Sequence, residues 1–142
     1  TLEAISYNYK GFNATICSVM DARCNQLYNA IFKAFDNNIT RITQDRAISI
    51  DNLKEELLNM DDNVILVGDG ASLCYNTLGK NLKNIKLAPI QLRYQHANGV
   101  ALKALELAKL NEYTSYLELV PSYLRLSQAE RELKKKNSQK GV

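Results

Sequence analysis

The chain reads as an α/β domain: a strand meander, then helices alternating with strands. Three observations predict that class. Residues 13–43 hold β-branched and aromatic side chains in three runs separated by short polar links. Residues 64–67 are a continuous apolar run that ends in Gly68-Asp69-Gly70, as a strand covered on both faces looks when it stops in a tight turn. Beyond each of these, apolar residues return at helical spacing.

The elements follow in order. Residues 1–9 place Leu2, Ile5 and Tyr9 on one helical stripe. Residues 13–20 read as a strand, with Ile16, Ser18 and Met20 alternating with Thr15, Cys17 and Val19. Residues 21–25 form a polar link. Residues 26–35 alternate again, with Leu27, Ile31 and Phe35 opposite Tyr28, Ala30, Phe32 and Ala34. Residues 36–38 are a turn, and residues 39–43 resume a strand. Three strands with short links imply an antiparallel meander. Ser49 or Asp51 caps a helix that carries Leu53, Leu57 and Met60 inward. After the central strand, a helix runs from about Ser72 to Leu82, and residues 85–87 form a short strand. Pro89 breaks regular structure, and residues 96–110 form an Ala- and Leu-rich helix. Residues 117–126 read as an extended edge segment, because Pro121 disfavours helix before it. Ser127 and Glu130 form a capping box for a last helix. A meander followed by alternating α and β units is the element order of a ribonuclease H-like architecture, with helices on the faces of a mixed sheet.

Composition narrows the setting. At 142 residues the chain can bury a real core, and its 46% hydrophobic and 23% charged content is ordinary for a globular domain. No run is long enough to span a bilayer. Three cysteines, Cys17, Cys24 and Cys74, form no C-x-x-C pair, which argues for a reducing, cytoplasmic setting over a disulfide framework. Residues 121–142 carry a net +4 and the preceding 120 carry −1, so the body has no basic footprint for nucleic acid. The chain opens at Thr1 already in helix-like sequence, as expected of one piece of a larger protein.

Two carboxylates, Asp21 and Asp69, each follow a strand. Parallel strands would bring them to one rim, where a pair could hold Mg²⁺ for phosphoryl-transfer or nuclease chemistry, or simply bond the turns. Gly68, Asp69 and Gly70 before a helix are compatible with a phosphate cradle, but a tight turn is the favoured reading. The turn lacks the third glycine of a dinucleotide fingerprint and the Lys-Ser/Thr of a P-loop. Arg23 serves either an anion or a local ion pair, and His96, the single histidine, has no motif nucleophile beside it. Lys134 to Lys140 read as a solvated end or a polyanion contact. No complete catalytic set and no metal-ligand set is legible.

Three stretches together resemble a known family. VMDARCNQLYNAIF is similar to the (V/M)DAR-x-x-x-(V/L)Y-x-A block of the bacterial TsaB family, also called YeaZ. VGDGA is similar to its central strand-turn, and VPSYLRLSQAERE to its P-x-YLR-x-x-(E/Q)AE block. TLEAIS resembles its ST-LEA-(L/I)-A helix. The resemblance implies a ribonuclease H-like half of the actin and sugar-kinase superfamily. Residues 1–126 would be the C-terminal half, residues 127–142 a helix and basic tail, and the half bearing the DTS and GPGSFTGLR motifs would lie outside this chain. It further implies a non-catalytic scaffold for the catalytic subunit TsaD and the ATPase TsaE in making threonylcarbamoyladenosine on tRNA. On that reading tRNA is met only indirectly, no cofactor or membrane is involved, and a homodimer is compatible. Asp21 and Gly68 to Gly70 fall at the superfamily's nucleotide positions, with Asp69 interrupting the glycine pair. Ala22, Arg23, Pro121, Tyr123, Leu124 and Arg125 match family blocks and are expected to be structural. The alternatives kept are a metal-dependent phosphoryl-transfer or nuclease domain on Asp21 and Asp69, and a nucleotide-binding half-domain. The family's glycoprotease-like label implies a peptidase, but no nucleophile–base pair or zinc motif supports one.

Overall fold

The computed structural model describes residues 1–78, 84–124 and 130. Its elements are α1 (Leu2–Ser6), which runs into a 3-10 turn (Tyr7–Tyr9), β1 (Ala14–Asp21), β2 (Gln26–Phe35), β3 (Asn38–Arg41), β4 (Arg46–Ser49) and α2 (Ile50–Leu58). They continue as β5 (Val64–Val67), α3 (Ala71–Leu78), β6 (Ile85–Leu87), α4 (Ile90–Arg93) and α5 (Ala97–Lys109). One sheet has the order β3-β2-β1-β5-β6, with β4 also paired to β2.

The meander is antiparallel, from Ala14 opposite Ala34 to Asp21 opposite Leu27. The β1–β5 pair is parallel, Thr15 opposite Val64 through Ser18 opposite Val67, and β5–β6 is parallel too. Period-two alternation sends Cys17 and Val19 of β1 into a layer with Leu53 and Leu57 of α2 and Cys74 and Leu78 of α3. Its other residues, Ala14 and Ile16, meet Leu2, Ile5 and Tyr9 on the opposite face. Both faces of the sheet are therefore covered, which is why Val64, Leu66 and Val67 show no polar alternation.

Ser49 is the cap of α2: its Oγ accepts from the Asn52 N–H at 3.2 Å. Helix α5 crosses α1 so closely that a Cβ on Gly99 would lie 2.1 Å from the Ala4 carbonyl oxygen. The residue that weakens the helix by propensity is the one that lets it pack. Charge then ties the layer down. Lys103 pairs with Glu3 at 2.9 Å, Lys10 with Glu106 at 2.6 Å, and the Tyr7 hydroxyl donates to Glu106. Arg41 of β3 bridges Glu3 at 2.7 Å and Asp45 at 2.5 Å.

The structure departs from the sequence reading in three places. β4 is an additional strand: β2 is ten residues long, so its second half pairs with β3 while Gln26 to Asn29 pairs with β4. Pro89 does not only break structure; it precedes α4 as its N-cap. Residues 117–124 make no strand, and their hydrogen bonds form a local turn in which the Leu119 N–H donates to the Ser115 carbonyl at 3.0 Å. Pro121 lacks the N–H a ladder needs, and among the described residues no strand pairs with this stretch. Residues 79–82 of the expected third helix and the expected capping box at Ser127 lie outside the described residues.

Candidate functional site

Because β1 and β5 are parallel neighbours, both end at the same rim, and Asp21 and Asp69 meet there. The Asp21 backbone N–H donates to Asp69 Oδ1 at 3.2 Å. Asp21 Oδ1 in turn accepts from the Arg23 N–H at 2.8 Å. One oxygen of each carboxylate is thus committed to holding the two turns in register, the ordinary use of aspartate at a strand end. Among the described residues no group of three or more His, Cys, Asp and Glu side chains is arranged to hold a metal ion.

The glycines of the turn are required by packing. Gly68 has φ of +102°, and a Cβ there would lie 2.0 Å from the Val19 carbonyl oxygen. A Cβ on Gly70 would crowd the Asp21 nitrogen and a Leu27 methyl, each at 3.0 Å. The amides are spent internally as well. The Gly68 N–H donates to the Arg93 carbonyl at 2.6 Å and the Gly70 N–H to the Val19 carbonyl at 3.3 Å. A phosphate cradle needs such N–H groups turned outward. Here the turn is folded down onto β1.

Arg93 locks the arrangement and was not singled out in the sequence. Its Nε and Nη2 donate to the Ala88 carbonyl at 3.0 and 2.7 Å, and its Nη1 to Ser72 Oγ at 2.9 Å. The only signal was an arginine four residues after a proline. Asn29 was also missed: fully buried, it donates to the Ser18 carbonyl at 3.0 Å and accepts from Arg46 at 2.9 and 3.0 Å.

The link between β1 and β2 is a left-handed turn. Arg23, Cys24 and Asn25 have φ of 63°, 54° and 58°. Asparagine tolerates that region, but arginine and cysteine each lose roughly 1–2 kcal/mol there. The turn is closed by Ala22 N–H to Gln26 carbonyl at 3.0 Å and Gln26 N–H to Arg23 carbonyl at 3.2 Å. Ala22 is buried beneath it, while Arg23 and Cys24 face outward.

The remaining candidates fall elsewhere. His96, exposed, sits just ahead of α5 with its Nε2 2.9 Å from the Gln91 carbonyl. Cys17 and Cys74 are buried, and burial pushes both thiols up, Cys74 to about 12. Pro121 and Leu124 line a groove of about 380 Å³ with Thr1, Leu2, Met20 and Tyr28, far from the turn in sequence. Tyr123 is 85% exposed, and Arg125 lies outside the described residues.

No protein-family model matches the chain, and no curated protein sequence matches it. Solved structures do. One is YeaZ from Pseudomonas aeruginosa, superposed over 87% of this chain with a TM-score of 0.65 and 14% identity. The chain has the YeaZ fold. Another is described as an uncharacterized protein with similarity to peptidase YEAZ from Pseudomonas aeruginosa, with 87% of this chain covered, a TM-score of 0.60 and 16% identity. At such identities the likeness is one of fold, and it agrees with the ribonuclease H-like sheet described above. The chain spans 55% and 56% of the length of these YeaZ-type structures, so it matches about half of each. Among the described residues no helix is long and apolar enough to cross a membrane.

Proposed function

We propose that this chain is a non-catalytic scaffold half-domain of a TsaB-type protein, supporting a TsaD-like catalytic subunit and a TsaE-like ATPase in threonylcarbamoyladenosine formation on tRNA in the cytoplasm. The observation that carries the reading is the YeaZ fold over 87% of the chain, together with the VMDAR, VGDGA and PSYLR blocks that resemble the same family. The internal use of the Gly68 and Gly70 amides and of Asp21 and Asp69 supports a rim that organises the fold and carries no chemistry. The word peptidase belongs to a neighbour's description. In this chain the one histidine donates from Nε2 to the Gln91 carbonyl, and among the described residues no hydroxyl or thiol is hydrogen-bonded to it.

The test is reconstitution of the tRNA modification from purified subunits, with the full-length protein present, absent, or carrying Asp21→Asn and Asp69→Asn together. The proposal expects modification to depend on the protein and to survive the double change within about twofold. Loss of modification in a folded double variant would move the chemistry onto these carboxylates.

A further inference from the structure

We infer that the Tyr9 and Ser18 hydroxyls together hold one internal water molecule between the 3-10 turn and β1. Tyr9 is 1% exposed and Ser18 0%, and among the described residues neither hydroxyl oxygen has a hydrogen-bond partner. Each hydroxyl can donate one hydrogen bond and accept others. An unpaired hydroxyl is expensive to bury, and buried polar groups are as a rule paired with protein or with ordered water.

Three observations bring the two hydroxyls to one place. Alternation along β1 sends Cys17 and Val19 toward α2 and α3, so Ser18 faces the other layer with Ile16, and Tyr9 belongs to that layer. The neighbours of Ser18 across the sheet, Ala30 on β2 and Val67 on β5, belong to it too. Finally, Val67 leads into Gly68, whose N–H donates to the Arg93 carbonyl. Tyr9 lies toward the same residue: burial pushes its hydroxyl up to about 12, and the Arg93 charge opposes the rise. The 3-10 turn is tied to this corner by Asn8 as well, whose Nδ2 donates to the Leu92 and Tyr94 carbonyls at 3.3 and 2.9 Å. The chemistry of the ligand follows from the surroundings. The layer around the two hydroxyls is apolar, which excludes an ion, and small Ala30 stands next to Ser18. A water needs a small gap and two to four polar partners, and two hydroxyls that both donate and accept supply them. The water belongs to the fold and does not depend on the scaffold reading.

The experiment is a double-mutant cycle on the full-length protein, with Tyr9→Phe, Ser18→Ala and both, read as melting temperature beside a high-resolution crystal structure of the native protein. A shared water predicts that each single change lowers the melting temperature by about 2–4 °C. The double change should lower it no further than the more damaging single one, because the water is lost with its first anchor. The native crystal should show a water within about 3.2 Å of both hydroxyl oxygens. A melting temperature unchanged or raised by either single change would mark a dry, unpaired hydroxyl and overturn the inference. Additive losses would give the two hydroxyls separate partners and overturn it as well. So would a native crystal without density shared by the two oxygens, a result that does not depend on any variant folding.

Discussion

The Gly68 Cα is pressed against the Val19 carbonyl so tightly that a methyl group there would sit 2.0 Å from the oxygen. That contact seats the end of β5 on β1, and with it the rim where Asp21 and Asp69 meet. Gly68→Ala combines this overlap with a left-handed backbone, at φ of +102°. It should cost about 3 kcal/mol or more, read as a drop in the urea midpoint. A loss below about 1 kcal/mol would mean that the turn relaxes freely and is open to a ligand.

The carboxylate rim makes a second prediction. Asp69→Ala removes the acceptor of the Asp21 N–H and should destabilise by about 1 kcal/mol. Millimolar Mg²⁺ or Mn²⁺ should leave the melting temperature of the native protein within about 1 °C, since binding to the folded state alone would raise it. A metal-dependent rise removed by Asp21→Asn would reinstate the phosphoryl-transfer reading.

The clamp of α1, β3 and α5 should be acid-labile. Burial alone would raise Glu3, but hydrogen bonds from Lys103 and Arg41 outweigh it and hold the carboxyl below its usual value of 4.5. Hydrogen bonds from Lys10 and Tyr7 lower Glu106 in the same way. A carboxylate with a lowered folded pKa contributes stability that is complete above pH 4.5 and lost as pH falls through the folded value. Glu3→Gln with Glu106→Gln should flatten the acid limb of the stability profile. Both groups are partly exposed, so the effect at pH 7 should be only about 1 kcal/mol and shrink in salt. An unchanged acid limb would remove the clamp from the account.

Thiol labelling checks the burial pattern. Cys24 is exposed in the left-handed turn, whereas Cys17 and Cys74 are buried with raised pKa values. One equivalent should react with a disulfide reagent in native protein, and Cys24→Ser should abolish that phase. Two fast thiols would contradict the core.

Where periodicity was strong, the sequence was readable. β2, β5 and β6 begin and end where alternation or an apolar run begins and ends, and Ser49 declared its cap. β4 was not legible, because all four of its residues are half-buried and their partners on β2 lie 17 to 23 residues upstream. Residues 117–124 carry strand-like composition and yet form no strand, since composition says that a segment must be covered and does not name the surface. At the rim, Asp21 and Asp69 were found by position, but their hydrogen bonds were not. Spacing cannot distinguish a glycine turn that cradles a phosphate from one that lies on a neighbouring strand. That difference rests on Val19 and Arg93, which no motif marks.

The most direct test of the scaffold reading is isothermal titration of the full-length protein into a purified TsaD-like subunit, with and without ATP. The account predicts saturable binding near one to one, unaffected by Asp21→Asn with Asp69→Asn. Folded protein that gives no binding heat and no co-elution in either condition would contradict it.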